Sequence, residues 1–306
     1  MRVKSGLLVV AVLLFSALAA SAQDTGARST MILVPAGAFV MGSPDSELEK
    51  GSDEMKHEVK LSAYLICCRE VTVAEFRAFV ADTGYKTSAE RDGGAIVHEI
   101  ANVEKRADAY WAKPYIKQGE DHPVVDVSWF DALEYCNWRS LKEGLDPVYS
   151  IEGRSVSANF ASNGYRLPTE AEWERACRAG TTAATAFGET LSFTQANVFG
   201  DYPFDPHAID LMPVVGGTFP CGSYPPNAWG ISDMHGNVAE WCWDRYGPYG
   251  IAAETDPVGA LSGKFRVMRG GSWDDSGIKF RSAARSSGIP DYAGPGVGFR
   301  VARNAP

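Results

Sequence analysis

The sequence has no Cys-x-x-Cys pair and no histidine-rich spacing, which removes the usual zinc frameworks. It has no basic excess. Its 29 Lys and Arg stand against 38 Asp and Glu, the net charge is -9 and the pI is near 5.1, so a nucleic-acid partner is not expected. Beyond residues 6–20 it has no long apolar run, which argues against a spanning helix in the rest of the chain. It has no tandem repeat, low-complexity tract or interdomain linker, which favours one large domain. What it does have is 31 Gly and 17 Pro along 306 residues, the mark of many turns, and eight tryptophans to anchor a core or line a pocket.

Arg2 and Lys4 precede the apolar run, and Ala20-Ser21-Ala22 is a small-x-small cleavage site. This pattern predicts an export signal over 1–22, cleaved between Ala22 and Gln23. No cysteine lies beside that site, so a lipid anchor is not expected. The mature protein is expected in the periplasm or outside the cell, with a polar flexible lead over 23–30 and one domain over 31–306. Export permits disulfides among Cys67, Cys68, Cys136, Cys177, Cys221 and Cys242, but spacing does not fix the pairing. In a strand, Cys67 and Cys68 would face opposite ways.

Residues 31–35 and 36–43 read as two strands joined by a turn, 44–57 as an acidic loop and 57–68 as one strand. Three helices carry capping boxes: Thr72 with Glu75, running to about Asp82, Ser128 with Asp131, ending before Gly144, and Thr169 with Glu172, ended by Gly180. On the second, Ala132, Leu133, Cys136 and Leu141 share a face that reads as core. Residues 86–122 and 183–226 read as long ordered loops. The expected class is α/β (α+β), irregular, with few helices and short strands.

The tail from Phe265 to Arg303 holds Gly270-Gly271-Ser272-Trp273 followed by Asp274 and Asp275. Arg266, Arg269, Arg281, Arg285, Arg300 and Arg303 gather there. They sit either in buried carboxylate or carbonyl networks or, for Arg285, beside a pocket formed by Ser272, Trp273, Asp274 and Asp275. Upstream, Asp233 and Glu240 flank His235-Gly236-Asn237-Val238. Such a loop either turns with solvated acids or holds calcium through the two carboxylates and the carbonyls of Gly236 and Val238. His235 reads as structural.

These pieces together resemble the formylglycine-generating enzyme, or sulfatase-modifying factor, family. The matching stretches include MILVPAGAFVMGS from Met31, EVTVAEFRAFV from Glu70, YRLPTEAEWERACRAG from Tyr165, PPNAWGISDMHGNVAEW from Pro225, RVMRGGSW from Arg266 and GFRVAR from Gly298. The resemblance implies an irregular domain related to C-type lectin-like folds and stabilised by calcium. It implies one calcium loop at Asp233, Gly236, Val238 and Glu240, and another at Asn197 and Val198, completed by an acid for which Asp210 is the nearest candidate. It places the copper(I) cysteines of active members at Asp275 and Phe280. A carboxylate and a phenyl ring cannot replace soft thiolates, so copper is not expected. The vertebrate partners of Cys136 and Cys177 fall at Ser282 and Val301, where cysteine is absent.

Three functions follow from the resemblance. The first is an exported binding or accessory protein with an unidentified small-molecule or peptide ligand. It includes a display variant whose surface positions would be Asp274, Asp275, Ser276, Lys279 and Tyr292. The second is an enzyme of altered chemistry, in which Asp274 and Asp275 act as acid and base and the reaction matures a siderophore or other secreted product. The third is formylglycine generation on a sulfatase cysteine, which ranks lowest because the thiolates are missing.

Overall fold

The structure, a computed structural model, describes residues 30–99, 102–203 and 216–306. The expected export signal, nearly all of the lead and Asp210 lie outside the described residues.

The chain opens with β1 (Met31–Val34), β2 (Gly37–Met41), β3 (His57–Leu61) and β4 (Tyr64–Cys67). The stretch expected as one strand over 57–68 is two, because its halves join different sheets. β3 pairs with β2, and β4 pairs with β1. Next come α1 (Val73–Thr83), α2 (Ser88–Arg91) and the hairpin β5 (Ala95–Glu99) and β6 (Asn102–Arg106). The segment 86–122 is therefore not a plain loop. α2 carries its own capping box, Thr87 with Glu90, and β5 pairs antiparallel with β6.

α3 (Trp129–Lys142), the hairpin β7 (Tyr149–Glu152) and β8 (Ser155–Ala158), and α4 (Glu170–Arg178) follow. Both expected capping boxes form, as does that of α1. α4 ends in a left-handed residue one position before Gly180, at Ala179. On α3, Ala132, Leu133 and Cys136 are fully buried, but Leu141 is 65% exposed. Five residues beyond Cys136 is 140° around the helix, off the buried face. Ser140 takes the inward position instead, with its hydroxyl bonded to the Cys136 carbonyl and the Tyr165 amide.

The tail supplies β9 (Ala239–Arg245), β10 (Glu254–Thr255), β11 (Arg266–Arg269), a single 3-10 turn over Gly277–Phe280, β12 (Arg285–Gly288), β13 (Val297–Gly298) and β14 (Ala302–Asn304). β12, β11, β9 and β13 form one sheet in that order, and β14 returns to β4 at the start of the chain. The main core packs α1 and α3 aromatics such as Phe76, Trp129 and Tyr135 against Trp241 and Phe299. A second core packs β1–β4 on Trp173 and Ala176 of α4.

Glutamates four apart on α4 receive two of the tail arginines. Glu170 accepts from Arg285 Nε and Nη2 at 2.7 and 2.8 Å, and Glu174 pairs with Arg269. Arg281 forks onto Glu54 at 2.6 Å and reaches Glu47 at 2.7 Å. Arg266 lies 3.6 Å over the Trp129 ring. The arginine cluster is therefore an internal clamp on the fold.

Candidate functional site

β11 runs into Gly270 and Gly271, which turn the chain back beneath the tail. A Cβ at Gly271 would stand 2.8 Å from the Phe280 ring, and its φ of +69° also favours glycine. The turn is fixed from outside: Gly236 N–H donates to the Gly270 carbonyl and Trp273 N–H to that of Asn237. Ser272 is thereby presented to a cavity of about 630 Å3 whose lining includes His98, Ala239, Asp274, Asp275, Lys279 and Tyr292.

The polar heart of this cavity is a short chain of contacts. The Ser272 hydroxyl lies 2.6 Å from Asp274 Oδ1 and 2.8 Å from Asp275 Oδ2, and its backbone N–H donates to Asp275 at 3.0 Å. Asp274 Oδ2 meets His98 Nδ1 at 2.5 Å. Burial and then repulsion from Asp274 raise the Asp275 carboxyl. Asp274 is also mostly buried, yet the hydrogen bonds from His98 and Ser272, with the His98 charge, outweigh that and lower it. The two neighbouring acids are thus driven apart. Asp126, next to His98, is pushed up to about 7 by burial, and its Oδ1 has no partner.

His98 was missed by the sequence reading because it belongs to β5, inside the segment taken as loop. The alternation of the β5–β6 hairpin is the signal that could have found it. Two expected pocket residues serve other purposes. Trp273 donates its indole N–H to the Pro295 carbonyl at 2.9 Å and holds the loop that carries Gly296. Arg285 touches the cavity, but its guanidinium is spent on Glu170 and on the Asp53 and Gly247 carbonyls.

The raised pKa of His98 follows first from its bond to Asp274. The pair should be intact below the ordinary histidine value of 6.5 and be released as pH climbs through the raised folded value. An NMR titration of the His98 imidazole should therefore give a midpoint above 6.5, and Asp274→Asn should move it down. An unchanged midpoint in the variant would show that Asp274 is not the cause.

The copper positions hold no sulfur. Asp275 is bound to Ser272, and Phe280 is fully buried among Ala184, Leu191, Ala196, Val198 and Tyr202. His235 donates Nδ1–H to the Phe280 carbonyl at 2.6 Å, while its Nε2 accepts from Ala186 N–H at 3.0 Å. Burial lowers this histidine to about 4, so it is a neutral brace for the turn. Cys177 lies near it, but burial raises that thiol to about 12, which makes it a poor thiolate. The donor set does not fit copper(I). Cys177 Sγ lies 3.5 Å from Ser282 Oγ, the position implied for a vertebrate partner cysteine.

The loop expected to hold calcium is built as follows. Asp233 and Glu240 are both buried, not solvated. Both Glu240 oxygens are taken, by Arg300 at 2.6 Å twice and by the Trp173 indole at 2.9 Å. Glu70 is fully buried and faces Asp233 closely enough for the two carboxyls to share a hydrogen bond. Burial and the nearby Asp233 charge push Glu70 well above the carboxylate range, and burial raises Asp233 as well. Two facing buried acids suit a hard cation on the Asp233 side, together with the Gly236 and Val238 carbonyls. Glu240 faces Arg300 on the other side of the loop. Among the described residues no three His, Cys, Asp or Glu side chains converge as a metal cage. Asn197 and Val198 bridge directly to this loop: Asn237 N–H donates to the Asn197 carbonyl at 2.8 Å, and a Cβ at Gly236 would stand 2.2 Å from that oxygen. The two expected calcium loops are therefore one packed unit.

The sulfatase-modifying factor enzyme 1-like domain matches residues 16–305. The chain belongs to this family. The sulfatase-modifying factor member named formylglycine-generating enzyme in Streptomyces coelicolor is 34% identical over 312 residues, which cover 91% of this chain and 91% of that protein. The Bos taurus protein named inactive C-alpha-formylglycine-generating enzyme 2 is 30% identical over 310 residues, covering 92% and 90%. Among solved structures, PvdO from Pseudomonas aeruginosa superposes with a TM-score of 0.67 at 30% identity, covering 90% of this chain and 94% of that one. The irregular, loop-rich architecture is the sulfatase-modifying factor fold.

Proposed function

We propose that this sulfatase-modifying factor protein works outside the cytoplasm without copper, as a binding or accessory protein whose cavity takes a ligand of an exported pathway. The observation that carries the proposal is the chemistry at the two copper positions, a carboxylate held by Ser272 and a core phenylalanine. Exported placement rests on the Arg2–Ala22 signal pattern. Calcium on the Asp233 side of the loop, with Glu70, would neutralise the facing acids and hold the Gly236–Val238 turn that supports Ser272.

A second reading is favoured by the His98–Asp274–Ser272–Asp275 chain. A raised carboxyl beside a lowered one gives a proton donor and an acceptor in one cavity, the basis of general acid–base catalysis on a bound secreted product. Here Asp275, and Asp274 with His98, would be the two groups between which a proton is exchanged with the bound ligand.

The test is incubation of the purified protein with a Cys-x-Pro-x-Arg peptide, copper and oxygen, with the Streptomyces coelicolor relative as control. No hydrazide-reactive aldehyde should form with this protein. Aldehyde formation would return it to the oxidases.

A further inference from the structure

A second cavity, of about 570 Å3, opens beside β2 and the C-terminal end of α4 and shares no lining residue with the first. Phe39 and Trp229 form aromatic walls, both half-buried with one edge on the second core. Val40, 48% exposed, extends the apolar surface. Three cations and no carboxylate line it: Lys56, Arg175 and Arg178.

The three cations differ. Arg178 is neutralised by Glu174 at 2.9 Å, and the other oxygen of Glu174 is held by Arg269. Arg175 is buried, and among the described residues its guanidinium donates to the carbonyls of Gly37 and Pro35 and lies 6.0 Å from the Phe39 ring centre. Carbonyl dipoles orient this charge but do not cancel it. Gly37 makes the seat, because a Cβ there would stand 2.8 Å from Arg175 Nη2. Lys56 is exposed, and Asp45, the acid that feels its charge, is bonded to Lys50 at 2.6 Å. An apolar cavity with two cations that have no carboxylate partner among the described residues is complementary to an anion that also has an apolar body.

We propose that this cavity binds a small carboxylate carrying an aromatic or branched aliphatic group. The apolar body lies against Trp229 and Phe39, and the carboxylate meets Lys56 and Arg175. A bare inorganic anion would leave the aromatic walls wet, and a neutral aromatic would leave the two charges unpaired. This site is independent of the Ser272 cavity, so its fate does not decide the copper-free reading.

The test uses 2-naphthoate as probe, with 2-naphthamide and inorganic phosphate as controls, followed by calorimetry and saturation-transfer NMR on the purified protein. Naphthoate should bind at least about tenfold more tightly than the amide, the scale of a charge-assisted hydrogen bond, and phosphate should not displace it. Lys56→Gln, at an exposed position, and Trp229→Leu should each weaken naphthoate several-fold without lowering the melting temperature by more than a few degrees. Equal binding of acid and amide, displacement by phosphate, indifference to both substitutions, or no naphthoate binding at millimolar concentration would each overturn the assignment.

Discussion

Glu240→Gln should lower the unfolding free energy by about 3–5 kcal/mol, because it strands a buried guanidinium. Arg300 and Glu240 are both fully buried and share two contacts of 2.6 Å. The other hydrogen-bond partners of Arg300 are the Cys67, Ser232 and Asp233 carbonyls at 3.0 to 3.4 Å, and the nearby Glu70 acid makes no direct bond to it. Trp173, the largest side chain of α4, would also lose its charged acceptor. The double variant Glu240→Gln/Arg300→Met should recover a large part of the loss, since it removes the stranded charge as well. Denaturant unfolding in calcium and in chelator separates this account from the family expectation. If Glu240 serves Arg300, the loss is the same in both. If Glu240 is a calcium ligand, the loss shrinks in chelator. Asp233→Asn should behave the other way, with little cost in chelator, where it removes a carboxyl whose charged form burial penalises, and loss of whatever stability calcium adds.

The second large effect is at Phe280. Phe280→Ala should cost about 3–5 kcal/mol, the range for removing a phenyl ring from a closed core. The ring is fully buried in its own small cluster with Leu191, Val198 and Tyr202, and it seats on Gly271. Losing it should loosen the Gly270–Ser272 turn and so disturb the cavity from below. Asp275→Ala should cost much less, because Asp275 makes only local bonds to Ser272. Thermal and urea unfolding of the two variants should therefore rank Phe280→Ala far below Asp275→Ala. Equal stability would mean that residue 280 is not a packing residue, and the contrast drawn with a copper ligand would fail.

Local chemistry was legible in the sequence, and distant pairing was not. The helices starting after Thr72, Ser128 and Thr169 were readable because a capping box is complete within four residues. The same box at Thr87 and Glu90 was passed over because α2 is a single turn with no apolar period behind it. The Ser272–Asp275 half of the site is a tight turn and could be read directly. Its other half, His98, arrives from a hairpin 176 residues earlier, and no local rule joins the two. Glu240 shows the same limit from the other side. Its spacing from Asp233 fits a metal loop, but which cation it meets depends on Arg300, 60 residues on, being folded against it. Leu141 fell on the wrong side because the helical period was stretched across five residues, where four would have pointed to Ser140.

The most direct measurement is a copper(I) titration of the reduced protein in competition with a chromophoric copper(I) chelator, calcium being present. With oxygen at residue 275 and a phenyl ring at 280, the chelator should keep its copper throughout. Transfer of one copper per chain to the protein would mean that soft ligands converge in this fold after all, and the copper-free account would be wrong.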